Sequence, residues 1–211
     1  MIPVPSAVSL ALAICLPGTT PSPVALAADT LQATYHRGIP YAEFISQAEG
    51  RRELWLSNTE GARLAPDMLE RTRALGSQWY ILAVTVDACS DSVSTLPYLA
   101  RLAQEAENVE IRMVAPTWGQ FLMDAHTSPD GRATTPTVIL LDAGFRKVGC
   151  WVEQPTALQS WWLDPDPQGT SDERFARKMA WYENDGGRET VREVVEILEA
   201  AARGQHICPQ W

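Results

Sequence analysis

An uninterrupted apolar run near the middle of the chain most constrains the fold. Residues Gln78–Val86 read QWYILAVTV, with β-branched and aromatic side chains at both odd and even positions. A strand with one solvated face would alternate apolar and polar residues, so this run predicts a strand buried on both faces. Such a strand belongs at the centre of an α/β domain with helices on both sides of the sheet.

The segments that follow predict how the sheet continues. Apolar residues recur at helical spacing from Val93 to Ala103, and Val109–Val114 then alternates as a second strand. This order predicts two parallel strands joined by a helix. Thr137–Leu141 and Arg146–Trp151 are two further strands, and the short turn between them requires an antiparallel hairpin. We therefore expect a mixed sheet of about four strands.

Helices are expected on both sides of this core in the sequence. Apolar spacing indicates helices between Ala28 and Leu75, around an ambiguous short segment at 53–57, and again between Thr156 and Arg203. At 211 residues, one elaborated domain is favoured over two. The expected organisation is a signal peptide (1–27), an N-terminal helical extension (28–76), an α/β core (77–155) and a C-terminal helical extension that completes the domain (156–211).

The first residues resemble a targeting segment. An apolar stretch, Ser6–Leu16, precedes Ala25-Leu26-Ala27, which fits the small-x-small cleavage pattern, although the preceding residues carry no Lys or Arg. We predict a signal peptide at 1–27 and a periplasmic or secreted protein. The alternative is a misassigned start codon before a cytoplasmic domain. A longer apolar stretch at the N-terminus is broken by Pro3, Pro5, Pro17, Pro21 and Pro23, so no integral membrane segment is expected in the mature protein.

Charge and composition exclude some functions. The chain has 17 basic and 26 acidic side chains, a formal charge of −9, and no Lys/Arg-rich run, which argues against nucleic-acid binding. Its 45% hydrophobic content is enough for a buried core. Five of the eight tryptophans lie in the last third, where they either pack the added helices or form a groove for an extended partner (Trp151, Trp161, Trp162, Trp181 and Trp211).

Cys89 is the candidate reactive residue. It lies where the buried strand gives way to a helix, for which Ser90, Asp91 or Ser92 could be the N-cap. Free backbone N–H groups and the helix dipole would stabilise a thiolate at this position. The alternative is a small buried hydrophobic residue, since free cysteines are often buried.

The residues around Cys89 resemble those of a known family. The run Ile81–Ser92, followed by LPYLARLA from Leu96, is similar to the active-site strand and helix of a bacterial thioredoxin-like family with a Trp-Cys-x-Asp-Ser motif. Thr135-Pro136-Thr137 and the segment from Gly149 to Pro155 follow in the family's order. The resemblance implies a thioredoxin-like fold, in which Pro136 is cis and faces Cys89.

The chain departs from this family at two positions. Ala88 replaces the usual Trp, and Ser92 stands where a thioredoxin has its second cysteine. A mixed disulfide on Cys89 would therefore lack a local resolving thiol. We expect a single-Cys thiol–disulfide oxidoreductase that acts on protein or small-molecule thiols and disulfides without a cofactor; the alternative is a non-catalytic thioredoxin-fold binding or scaffold protein.

The same resemblance, together with charge, suggests roles for two neighbours of Cys89. Ser92 could donate a hydrogen bond to the Cys89 thiolate. The Asp91 carboxylate would oppose ionisation of the thiol if it lies close, or would instead complement the helix dipole. These two effects on Cys89 oppose each other, and the sequence leaves their balance open.

The remaining cysteines and histidines allow several interpretations. Cys150 and Cys208 either form a structural disulfide, as an oxidising compartment would favour, or remain ordinary thiols. A zinc site from His206, Cys208 and either Cys89 or Cys150 is chemically conceivable, but the short His-x-Cys spacing argues against it, and no metal is expected. His36 and His126 are expected on helix surfaces or as caps rather than as catalytic bases.

Overall fold

A five-stranded mixed sheet organises the protein. The computed structural model describes residues 23–164 and 168–208. The strands lie in the order β1-β3-β2-β4-β5, with bounds β1 Ile39–Pro40, β2 Trp79–Val84, β3 Val109–Val114, β4 Thr137–Leu141 and β5 Lys147–Val152. Strands β2 and β3 are parallel, whereas β4 is antiparallel to both β2 and β5. The predicted mixed sheet is confirmed.

Helices account for most of the remaining described chain. The first four precede the central strand: α1 Pro23–Arg37, α2 Tyr41–Gln47, α3 Arg52–Gly61 and α4 Pro66–Ala74. Two lie between strands: α5 Ser90–Ala106 and α6 Pro116–Ala125. Three follow the sheet: α7 Thr156–Trp162, α8 Ser171–Asp185 and α9 Arg188–Ala202. The N- and C-terminal helical extensions are thus present, and the ambiguous segment at 53–57 lies within α3.

Central strand β2 has apolar side chains on both faces because each face meets a different helical layer. Ile81 and Ala83 belong to the core formed with α5 and α9, while Leu82 and Val84 belong to the core formed with α1 and α6. All four are fully buried. Burial on both sides explains why the sequence here lacks the alternation of a half-exposed strand.

Three details differ from the sequence-based expectations. The sheet has a fifth strand, β1, which is only two residues long, includes Pro40 and pairs antiparallel with β3. Helix α5 begins one to three residues earlier than expected, because Cys89 itself is the N-cap, and not Ser90, Asp91 or Ser92. Helix α6, for which the sequence pattern indicates only Trp118–His126, begins at Pro116, since proline fits the first turn of a helix, where its missing N–H needs no partner.

The predicted signal peptide falls largely outside the described residues. Residues 1–22 are not described, and 23–27 form the start of α1. Among residues 23–164 and 168–208, no helix combines the length and the apolar character that a bilayer crossing needs.

Candidate active site

The sulfur of Cys89 lies at the N-terminus of α5, partly exposed to solvent. As the N-cap residue, its side chain accepts a hydrogen bond from the backbone N–H of Ser92, with 3.4 Å between Sγ and the nitrogen. The thiol in turn donates to the carbonyl oxygen of Thr135 at 3.1 Å. An N-cap sulfur with an amide donor is suited to carrying negative charge, because the first N–H groups of a helix have no partner within the helix.

The segment facing Cys89 contains a cis peptide bond between Thr135 and Pro136. Glu153 holds this segment through its backbone N–H, which donates to the carbonyl oxygen of Pro136 at 2.8 Å. The structure thus brings Cys89 and the Thr135–Pro136 bond together.

The turn before Cys89 is held by the N-terminal extension. The carboxylate of Asp87 accepts N–H groups from Glu49 at 2.8 Å and Gly50 at 2.7 Å, and these hydrogen bonds lower the pKa of Asp87. Trp55, fully buried on α3, donates through its ring N–H to the Asp87 carbonyl at 2.8 Å. Arg51 donates to the carbonyl oxygen of Ala88 at 2.7 Å. The extension therefore positions the residues that lead into Cys89.

Ser92 contacts Cys89 through its backbone rather than its hydroxyl. The Ser92 amide donates to Sγ, whereas its Oγ atom is buried and has no hydrogen-bond partner among the described residues. The expected hydroxyl–sulfur hydrogen bond is absent because the side chain of a residue three positions into the helix points into the core. The hydrogen bond to the sulfur therefore comes from the helix backbone and not from the Ser92 side chain.

Asp91 is buried and paired, which the sequence did not indicate. Its carboxylate lies 3.0 and 3.1 Å from the ammonium of Lys178, and the Tyr182 hydroxyl donates to it at 2.7 Å. Both partners come from α8, in the C-terminal extension. Asp91 therefore does more than complement the dipole of its own helix: it anchors α8 beside Cys89.

A second buried acid lies behind the cis bond. Glu153 is 6% exposed, and Arg132 is 3.2 Å from its carboxylate. Burial is the main reason why the pKa of Glu153 is raised, while the nearby Arg132 opposes that shift. The negative charge of Asp91 raises the pKa of Glu153 further.

Cys150 and Cys208 are joined by a disulfide, with a Cα–Cα distance of 4.7 Å. The C-terminal tail reaches β5 at this point, where Cys150 donates its backbone N–H to the Ile207 carbonyl at 3.1 Å. Within the described residues Cys89 is the free cysteine. Because Cys150 and Cys208 are bonded to each other, their sulfurs are not free thiolates for the zinc site considered from the sequence.

The histidines occupy structural positions. His126 is the C-cap of α6, its Nδ1 lies 2.8 Å from the Leu122 carbonyl oxygen, and burial lowers its pKa. His126, Cys150 and Cys208 have ligand atoms within 4.8 Å of one another, a grouping that differs from the one considered from the sequence and includes neither His206 nor Cys89. His36 is exposed in the last turn of α1.

The tryptophans of the last third have mainly packing contacts. Trp151 is 2% exposed, and its ring N–H donates to Glu193 on α9 at 2.7 Å. Trp161 and Trp162 are partly buried and lie under cations of α8, with Lys178 4.7 Å from the Trp162 ring centroid. Trp211 lies outside the described residues.

Comparison with known proteins agrees with this fold. The sequence model of the thioredoxin family matches residues 38–171, more than half of the 211 residues. The chain belongs to the thioredoxin family. No curated protein matches it.

Two solved structures share the architecture. One is a protein of unknown function from Pseudomonas aeruginosa, 18% identical, with a TM-score of 0.61 over 80% of this chain and 96% of that one. The other is an HIV epitope-scaffold, also 18% identical, with a TM-score of 0.62 over 80% of this chain and 97% of that one. At this level of identity the likeness shows the fold alone.

Proposed function

We propose that the protein is a thiol–disulfide oxidoreductase that works through one cysteine, Cys89, and that it belongs to the single-Cys branch that the Cys89-x-Asp91-Ser92 sequence resembles. The observation that carries this proposal is the position of Cys89: a partly exposed sulfur at a helix N-cap, with the Ser92 N–H directed at it and the cis Thr135–Pro136 bond beside it. Amides at a helix start stabilise a thiolate, which is the nucleophile in disulfide exchange.

The exchange proceeds in two displacements. The Cys89 thiolate attacks one sulfur of a substrate disulfide, forming a bond between Cys89 and that sulfur while the substrate S–S bond breaks. The released sulfur leaves as a thiolate and takes a proton from water. An external thiolate such as glutathione then attacks the substrate sulfur of the mixed disulfide, which frees Cys89 as a thiolate and leaves the external thiol bonded to the substrate.

The position of the other described cysteines favours an external rather than an internal resolving thiol. Ser92 occupies the position of a resolving thiol, and Cys150 and Cys208 are bonded to each other. Pro136 would shape the edge along which an extended substrate lies, since Thr135 and Pro136 face the attacking sulfur. Substrates in this proposal are protein or small-molecule disulfides.

Covalent trapping tests this proposal. The purified protein, incubated with glutathione disulfide, should gain one glutathione by intact mass, and peptide mapping should place it on Cys89. The Cys89→Ser variant should gain none while keeping the wild-type circular dichroism spectrum. If Cys89 stays unmodified in the folded protein, the alternative applies, and the chain is a thioredoxin-fold binding or scaffold protein.

The compartment is a separate proposal. Export with cleavage after Ala27 would leave Ala28–Arg37 of α1, including Leu31 and Tyr35, which pack in the core below the sheet. An oxidising compartment would also favour the Cys150–Cys208 disulfide. The mature protein should then begin at Ala28 in the N-terminal mass of the exported form. Recovery of the protein with Met1 from the cytoplasm would contradict export.

A further inference from the structure

We propose that Lys178 is a positioning residue of the cysteine site: it neutralises the buried Asp91 carboxylate next to Cys89 and so keeps the thiolate form of Cys89 accessible. This inference rests on the proposed function, because it concerns the reactivity of the same sulfur. It also gives the C-terminal extension a role in the chemistry, since Lys178 lies on α8, outside the α/β core.

The pair is well enclosed. The side chains of Lys178 and Asp91 are 6% and 9% exposed, and their charged atoms are 3.0 Å apart at the closest. Lys178 also lies 3.3 Å from the Ser90 hydroxyl, in the first turn of the helix that Cys89 caps. An interaction between charges strengthens as water is excluded, so each charge of this pair acts strongly on its neighbours.

Aromatic rings complete the enclosure of the ammonium group. The Nζ atom of Lys178 lies 4.7 Å from the Trp162 ring centroid and 5.5 Å from that of Phe175. Cation–π contacts of this kind stabilise a lysine that has left bulk water. The cation is therefore held by α7 and α8 together and directed at the carboxylate of Asp91.

The sign of the effect follows from the charges. Cys89 and Asp91 are two residues apart across the first turn of α5, so an uncompensated Asp91 carboxylate would disfavour a thiolate at Cys89. Lys178 cancels that charge. Tyr182 adds no second anion, because burial, followed by the charge of Asp91, raises its pKa well above the usual value for tyrosine and keeps the hydroxyl a donor.

Charged and titratable groups border the site from the neighbouring elements. They are Asp87 in the turn before Cys89, Glu49 and Arg51 before α3, Arg132 and Glu153 behind the cis bond, and Lys178 and Tyr182 on α8. Asp87 and Arg51 are fixed by backbone hydrogen bonds, and Glu153 pairs with Arg132. Among these groups, Lys178 is the cation that pairs with a carboxylate in the first turn of α5, so it bears on the charge of that helix start.

The test measures the rate of Cys89 alkylation by iodoacetamide between pH 5 and 10 in three variants. Lys178→Met leaves the anion and should move the half-maximal rate to higher pH. Asp91→Asn removes the anion and should move it to lower pH, with alkylation at pH 7 faster by about threefold or more. The double variant should lie between the two, near the wild-type protein.

Matched controls separate charge from packing. Lys147→Met removes an exposed lysine from β5 and should leave the alkylation profile unchanged, while Lys178→Arg keeps the cation and should preserve the wild-type profile. If the Lys178–Asp91 pair is merely structural, Lys178→Met and Asp91→Asn will shift the pH of half-maximal alkylation in the same direction or not at all. Either result overturns the inference. Should Lys178→Met fail to fold, the Asp91→Asn comparison decides alone: no acceleration at pH 7 overturns the inference.

The same samples keep this inference separate from the proposed function. The wild-type protein and each variant are also incubated with glutathione disulfide, and their intact masses are measured by mass spectrometry. Opposite shifts in alkylation without any glutathione adduct on the wild-type protein would support the charge role of Lys178 and contradict disulfide exchange. Formation of the glutathione adduct together with unshifted alkylation profiles would support disulfide exchange and contradict the charge role of Lys178.

Discussion

At the scale of single residues, the two hydrogen bonds of Cys89 respond in opposite ways to ionisation. The Ser92 N–H donates to sulfur and strengthens when the sulfur carries charge, whereas the bond to the Thr135 carbonyl requires the thiol proton and is lost with it. Ionisation therefore frees the Thr135 carbonyl at the moment when the sulfur becomes a nucleophile. Under the proposed function, the N–H of an incoming peptide would then donate to that carbonyl.

A second thiol at position 92 should change the chemistry of the site. We predict that Ser92→Cys raises disulfide-reductase activity with a dithiol reductant by about tenfold or more, because the added thiol can resolve the mixed disulfide on Cys89. The Ser92 side chain is buried without a hydrogen-bond partner, so sulfur replaces oxygen without breaking a hydrogen bond present in the described structure. Reduction of an insulin disulfide, followed by turbidity, measures the effect.

Ser94→Cys is the matched control for this prediction. It adds a thiol to another buried serine of the same helix, but not at the spacing of a resolving cysteine. Equal activity of the two variants would show that position 92 has no special relation to Cys89.

At the scale of elements, the site depends on three parts of the chain besides the Thr135–Pro136 segment. The turn from β2 into α5 supplies Cys89, the residues before α3 hold that turn through Asp87, and α8 supplies the partners of Asp91. Each contact comes from a segment far away in the sequence. The helical extensions are therefore structural parts of the site and more than a cover for the sheet.

The turn before Cys89 should be sensitive to loss of the Asp87 charge. Asp87→Asn should lower the free energy of unfolding at pH 7 by about 1–2 kcal/mol, because the two N–H groups of Glu49 and Gly50 lose a charged acceptor. The pKa of Asp87 is lowered in the folded protein, so its contribution is present above the unfolded pKa and is lost as pH falls through the folded one.

Urea denaturation at pH 7 and at a series of acidic pH values measures this difference. The gap between the wild-type protein and Asp87→Asn should narrow in acid, where the wild-type carboxylate is protonated. Asp67→Asn, at an exposed position on α4, serves as the control and should change stability by less than about 0.5 kcal/mol. A gap that stays constant with pH would show that the Asp87 charge is not what holds the turn.

Local sequence patterns predict the central strand and the position of Cys89 at a helix start. They do not predict contacts between residues that are far apart in the sequence. The double-sided apolar run at 78–86 indicated β2, and the strand-to-helix junction indicated Cys89, because both signals lie within a few residues. Lys178 and Asp91 are 87 positions apart, and neither has a periodicity that points to the other. Strand β1 escaped detection for a different reason: two residues are too few to show alternation.

At the scale of the whole molecule, the disulfide joins the C-terminal tail to the last strand of the sheet. Cys150 is buried on β5, and Ile207 pairs with Gly149 alongside it in a short parallel bridge. The closed loop spans 58 positions and contains all of α7, α8 and α9. Restricting this loop in the unfolded chain stabilises the fold.

Loss of this disulfide should destabilise the protein. We predict that Cys208→Ser lowers the free energy of unfolding by about 2–4 kcal/mol in the absence of reductant. Guanidinium denaturation with and without dithiothreitol measures the effect, and the reductant should lower the stability of the wild-type protein but not that of the variant. Cys89→Ser, which leaves the disulfide intact, should respond to dithiothreitol as the wild-type protein does.

The most direct test of the central claim is the dependence of turnover on an external thiol. With a glutathionylated peptide as substrate, deglutathionylation should require added glutathione, rise with its concentration, disappear in Cys89→Ser and persist in a folded variant that lacks both Cys150 and Cys208. Turnover without glutathione that is lost when Cys150 and Cys208 are replaced would contradict the single-cysteine mechanism. Turnover that persists in Cys89→Ser would contradict any role for Cys89 as the nucleophile.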